Sequence, residues 1–117
     1  MSETLGTQVT THVLDLVTGF PAPKVNVSLA DMQGVELCTA STNSDGRIEH
    51  WGSDVRLTVG TYRMTFDVAG YRRSLNGQEE PAFFPQIDIV FHLRGDRDRV
   101  HIPVLLSAYG YTTYRGS

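Results

Sequence analysis

The chain has 117 residues, enough for one domain whose core buries roughly two-thirds of the unfolded surface. Hydrophobic residues make up 40% and charged residues 20%, which excludes a largely disordered chain. A net charge of −3 argues against a nucleic-acid partner, and no apolar run approaches the roughly 20 residues of a membrane helix. Residues 1–11 show neither a basic start nor an apolar stretch, so no signal peptide is expected. The lone Cys38 cannot form an internal disulfide, and a cytoplasmic, reducing setting fits that.

Valine, threonine and isoleucine number 12, 12 and 4, and 11 glycines and 5 prolines cut the chain into short pieces. Stiff β-branched residues between frequent turns predict an all-β sandwich. Residues 8–16 alternate, with Val9, Thr11, Val13 and Asp15 on one face and Thr10, His12 and Leu14 on the other. A turn is predicted at residues 18–21. Residues 24–30 form the next strand, with Val25, Val27 and Leu29 together. After a turn at 31–34, residues 35–42 carry Val35, Leu37 and Thr39 on one face. Asn43-Ser44-Asp45-Gly46 is a strong turn signal. Residues 55–59 and 61–68 follow as strands, the second with Tyr62, Met64 and Phe66 on one face. Residues 69–76 make a two-turn helix that Gly77 would cap. Residues 86–93, with Ile87, Ile89 and Phe91 inward, are a strand, and residues 94–98 a charged hairpin loop. Residues 100–107 and 111–115 complete about eight antiparallel strands and one short helix. A single domain over 1–117 is expected, with residues 1–7 flexible.

Four histidines, His12, His50, His92 and His101, are the side chains best suited to proton transfer near neutral pH. No HxH, HExxH or CxxC spacing supports a metal site, and no nucleophile elbow or phosphate-binding loop is present. Arg47 follows the 43–46 turn, where most arginines are simply solvated. Read from residue chemistry alone, the chain is a β-sandwich with a possible histidine site.

The ordered set of short motifs is more specific. It comprises Thr11-His12-Val13-Leu14-Asp15, residues 19–23, Thr42-Asn43, Asp45-Gly46-Arg47, Tyr62-Arg63, Phe66 and Phe83-Phe84-Pro85. It closes with His101-Ile102-Pro103-Val104-Leu105-Leu106-Ser107 and the final Tyr114-Arg115-Gly116-Ser117. From about Val9 to Ser117 the chain resembles the transthyretin-like 5-hydroxyisourate hydrolases. The resemblance implies a transthyretin-like sandwich assembled as a homotetramer, a dimer of dimers, with active sites in a channel where the dimers meet. It implies hydrolytic opening of the lactam ring of 5-hydroxyisourate in urate breakdown, with no cofactor and no metal. It places function on His12, Arg47, His101 and Ser117, with Arg47, Tyr114, Arg115, Gly116 and Ser117 holding substrate. The hormone-carrier transthyretins replace these polar groups. Two positions depart from the family pattern: Arg99 stands where histidine is frequent, and Ala108 where proline is. A ligand carrier, a metal-binding sandwich using His12 and His101 with or without His92, and a purely structural module are the competing readings. The first predicts loss of the polar set and the second inhibition by chelators; the third leaves the terminal tetrapeptide unexplained.

Overall fold

The computed structural model of the chain describes residues 6–76 and 82–117. Among these, the elements in order are β1 (Gln8–Asp15), β2 (Phe20–Pro21), β3 (Asn26–Asp31), β4 (Glu36–Ser41), β5 (Arg47–Ile48) and β6 (Gly60–Asp67). Helix α1 (Val68–Asn76), β7 (Gln86–Leu93), β8 (Arg99–Leu106) and β9 (Tyr111–Thr113) follow. One sheet runs β2-β1-β8-β9, with β5 also pairing β1; the other runs β4-β3-β6-β7. No helix among the described residues is long and apolar enough to cross a membrane.

The period of two in the sequence is what packs the sheets. Val9, Val13, Ile102, Val104 and Leu106 meet Val27, Leu29, Met64, Phe66 and Ile87 in one buried core. Each such side chain contributes about 1.5–3 kcal/mol relative to leaving it in water. On β4 the face bearing Leu37 and Thr39 turns to solvent, while Cys38 and Ala40 pack against the core.

Three local expectations need correcting. The strands are not all antiparallel: β1 and β8 run parallel, from Gln8 opposite Arg99 to Asp15 opposite Leu106. Turn chemistry governs only neighbours in sequence. Here all four strands of the other sheet lie between β1 and β8 and serve as their crossover. Residues 55–59 are not a strand, because only Leu57 pairs, in an isolated bridge with Thr7. The ladder stops there because the Trp51 indole N–H, at 2.8 Å, takes the Val9 carbonyl. That bridge, with N–H to O distances of 2.8 and 2.9 Å, ties Thr7 into the fold. The expected turn at 18–21 contributes β2, a two-residue pairing with the end of β1. Helix α1 lies where expected; its Gly77 cap falls outside the described residues.

The helix is held by one buried carboxylate. Asp15, 1% exposed, accepts from the Tyr71 hydroxyl at 2.8 Å, from Arg72 Nη1 at 2.7 Å and from the Val17 N–H at 2.9 Å. Burial and the hydrogen bond to Asp15 push the Tyr71 phenol far above its ordinary value, so it stays a donor. Asp15→Ala would strand a nearly buried arginine and a buried hydroxyl. It is expected to lower stability by about 3–5 kcal/mol, read by urea unfolding. A loss under about 1 kcal/mol would show that water or repacking replaces the carboxylate.

Candidate active site

His12 lies on β1 with its side chain on the outer face of the first sheet, half-buried. Its cross-strand neighbours are Arg47 on β5 and Pro103 on β8. Arg47 reaches that place through the preceding turn. The Asn43 side-chain oxygen accepts from the N–H groups of Asp45 and Arg47, both at 2.9 Å, and the Arg47 carbonyl accepts from Asn43 N–H at 2.9 Å. Gly46 sits at φ 75° with its carbonyl 2.7 Å from Val13 N–H. A Cβ there would collide with the Val13 carbonyl, so the turn closes on β1 only with glycine. Arg47 is thus half-buried beside His12, not the solvated hairpin arginine its loop position suggests.

His101 is the β8 partner of Thr10, two residues before His12 and on the same face. Its Nδ1 lies 2.7 Å from Thr10 Oγ1. The tail returns on the other side. Antiparallel β9 pairs with β8 from Leu106 opposite Tyr111 to Val104 opposite Thr113. Pro103 has no N–H to continue the ladder, and the Thr113 hydroxyl takes its carbonyl at 2.8 Å. Pairing resumes where Gly116 N–H donates to the His101 carbonyl at 2.7 Å. A Cβ on Gly116 would stand 2.8 Å from His101 Cδ2 and 3.2 Å from Pro103 Cγ, so the tail lies flat on the imidazole.

The register therefore gathers His12, Arg47, His101 and Gly116 on adjoining strands, with the exposed Ser117 next in the chain. By alternation Tyr114, 55% exposed, shares the face of Gly116, and Arg115 takes the opposite one. Arg115 and Tyr114 both help line a cavity of about 270 Å³, with Ile89, Phe91, Val100 and Ile102. His50 is in an exposed loop. His92 is on β7 in the other sheet, where its Nδ1 lies 2.8 Å from the exposed Thr61 hydroxyl. Asn43 stood in the sequence as a turn and motif residue, with no part in the site; Thr10 was given no role, and the signal for it was its place on the face of His12.

Burial, and after it the Arg47 guanidinium, holds His12 below the ordinary histidine value; a backbone hydrogen bond to Asp45 and the charge of Asp45 oppose this. His101 is lowered by burial first, then by Arg47, His12 and Arg99, against Glu49. Both imidazoles are therefore neutral at pH about 7. Protonation is easier in the unfolded chain, so this contribution to stability is present above pH about 6.5 and lost as pH falls through the folded values. In an NMR titration both rings are expected to titrate below about 6.5, and Arg47→Gln is expected to move both upward. Unmoved values would remove Arg47 as the common cause. Among the described residues, no three His, Cys, Asp or Glu side chains could together hold a metal ion.

The HIUase/Transthyretin family profile matches residues 9–116 of this chain. The chain belongs to the HIUase/Transthyretin family. It is 39% identical over 114 residues to a 5-hydroxyisourate hydrolase of Mus musculus, covering 93% of this chain and 94% of that one. Its structure is similar to that of Klebsiella pneumoniae 5-hydroxyisourate hydrolase, with a TM-score of 0.82 and 34% identity over 95% of this chain and 99% of the other. Transthyretin from Sparus aurata has the same fold, with a TM-score of 0.79 and 24% identity over 93% and 96% of the two chains. The transthyretin-like sandwich expected from the sequence is the one observed.

Proposed function

We propose that this chain is a 5-hydroxyisourate hydrolase, opening the lactam ring to 2-oxo-4-hydroxy-4-carboxy-5-ureidoimidazoline in cytoplasmic urate breakdown. The observation that carries the reading is the convergence of His12, Arg47, His101 and Gly116 on one sheet face, in a chain 39% identical to a mouse hydrolase of that name.

The reaction forms a bond from a water oxygen to a ring carbonyl carbon and breaks the carbon–nitrogen bond. It needs a base for the water proton, a donor or cation for the developing oxyanion, and a proton for the leaving nitrogen. His12 and His101, both neutral, between them take the water proton and return it to nitrogen. Arg47, charged at any working pH, anchors the polar ring or steadies the oxyanion. The Ser117 hydroxyl, with Tyr114 and Gly116, closes the pocket floor. Arg115 helps line the cavity, and its part in substrate holding would come through an adjoining subunit. None of these steps calls for a cofactor. In heavy-oxygen water one solvent oxygen should appear in the product carboxylate; label elsewhere would mean another bond is cut.

The site sits on an open sheet face, so a homotetramer, as a dimer of dimers, supplies the missing walls. The open edges support assembly: among the described residues, β7 pairs only β6 and β9 only β8. Beside them Phe83, Phe84, Tyr109 and Tyr111 form an exposed edge-to-face cluster. Light scattering should give a particle near four times 13.0 kDa. A monomer at micromolar concentration would rule out a shared pocket.

A further inference from the structure

The two imidazoles are not equivalently held. We propose that Thr10 is a positioning residue that keeps neutral His101 in its Nε2–H form, so that His101 donates a hydrogen bond to the carbonyl oxygen under attack while His12 moves the proton. The inference rests on the hydrolase reading above and divides its labour.

The argument begins with a buried hydroxyl. Thr10 is 3% exposed, and among the described residues its hydroxyl has one hydrogen-bond partner, His101 Nδ1 at 2.7 Å. A hydroxyl cut off from water must place its single hydrogen on an acceptor or lose a bond worth about 1–3 kcal/mol. His101 Nδ1 is the acceptor within reach, so Nδ1 keeps its lone pair and the ring hydrogen is on Nε2. The opposite ring orientation would bring Cδ2 to 2.7 Å from the oxygen, well inside carbon–oxygen contact. The observed orientation puts Cδ2 against Gly116, on the tail side. The ring is thus gripped along both edges by β1 and the tail, and Nε2 points away from the grip.

A comparison within the chain shows why burial matters. Thr61 and His92 make the same contact at 2.8 Å, but that pair is exposed. Water can serve either partner there, so the contact selects no tautomer. In the Thr10 pair the threonine is buried, so water does not replace the partner of its hydroxyl.

A neutral imidazole with its hydrogen on Nε2 is a poor base at that nitrogen and a good donor to a developing oxyanion. Giving that hydrogen away outright would leave an imidazolate beside a partly buried wall, so His101 donates a hydrogen bond and keeps its proton. The balance then closes on one histidine. His12 takes a proton from water as the oxygen–carbon bond forms. It returns the proton to the ring nitrogen as the carbon–nitrogen bond breaks. Arg47 and His101 face the oxyanion between the two steps.

Nitrogen NMR of isotope-labelled histidine in the intact protein, at pH about 8 where both rings are neutral, reads the tautomer directly. The expected result is a proton on Nε2 of His101 and a lone pair on Nδ1; a proton on Nδ1 would overturn the proposal. In kinetics, Thr10→Val keeps the branched shape and removes the hydroxyl. It should lower kcat about tenfold with KM within about twofold, while Thr10→Ser stays near the parent and Thr61→Val has no effect. Full kcat in Thr10→Val would also overturn it, and if that variant fails to fold the tautomer of the parent protein decides. His101→Ala separates the two readings. Full turnover there would sink the site itself, whereas lost turnover with the wrong tautomer would sink only the role given to Thr10.

Discussion

Replacing His12 or His101 with alanine is expected to lower turnover of 5-hydroxyisourate by about a hundredfold or more, the usual worth of positioned proton transfer or oxyanion donation. Both side chains sit half-buried on the outer face of the first sheet, and neither belongs to the core. The sandwich should therefore stay folded, as circular dichroism would report. His50→Ala and His92→Ala are the controls. One lies in an exposed loop and the other in the second sheet, so each should keep turnover within about twofold. Full activity in either active-site variant would displace that residue from the reaction. An equal loss in His50→Ala would show that the wrong pair had been chosen.

Removing residues 114–117 is expected to abolish turnover and spare the fold. Chain ends normally tolerate deletion because few contacts depend on them. This end is joined to the site by a hydrogen bond from Gly116 N–H to the His101 carbonyl, and it runs so close to the His101 ring that a Cβ on Gly116 would stand 2.8 Å from Cδ2. The core strands lie upstream, and β9 retains its pairing with Leu106, Leu105 and Val104. The loss in stability should be about 1 kcal/mol, the worth of one backbone hydrogen bond. The loss in rate should exceed about a hundredfold, since the imidazole loses one of its two supports and the pocket its floor. A folded truncation with unchanged turnover would remove the tetrapeptide from the active site.

How much of this could be read before the structure differs from residue to residue. Val9, Thr11, Val13 and Asp15 announced a buried face because a strand repeats every two residues, and that local rule needs no partner. The same alternation sets His12 on the opposite face, which the folded sheet turns outward. Which strand would lie beside it was not legible, since β1 and β8 are more than eighty residues apart in sequence and no turn connects them. The parallel ladder, the seat of Thr10 under His101 and the pairing of Arg47 with His12 all follow from that long-range register. The short tail shows the same limit. Pro103 could be recognised as a strand residue without an N–H, yet the resumption of pairing at Gly116 needs the ring of His101 already in place. Residues 55–59 looked like a strand by composition, but a strand is defined by its partner, and the Trp51 indole had claimed the carbonyl that a longer ladder would need. The four motif residues His12, Arg47, His101 and Gly116 were identifiable by resemblance; their common face is a property of the folded sheet.

The most direct test is the ultraviolet decay of 5-hydroxyisourate generated from urate, followed with and without the protein. Decay that quickens in proportion to added protein, and returns to the spontaneous rate with Arg47→Gln, is the result this account predicts. Decay at the spontaneous rate with the intact, folded protein would contradict it.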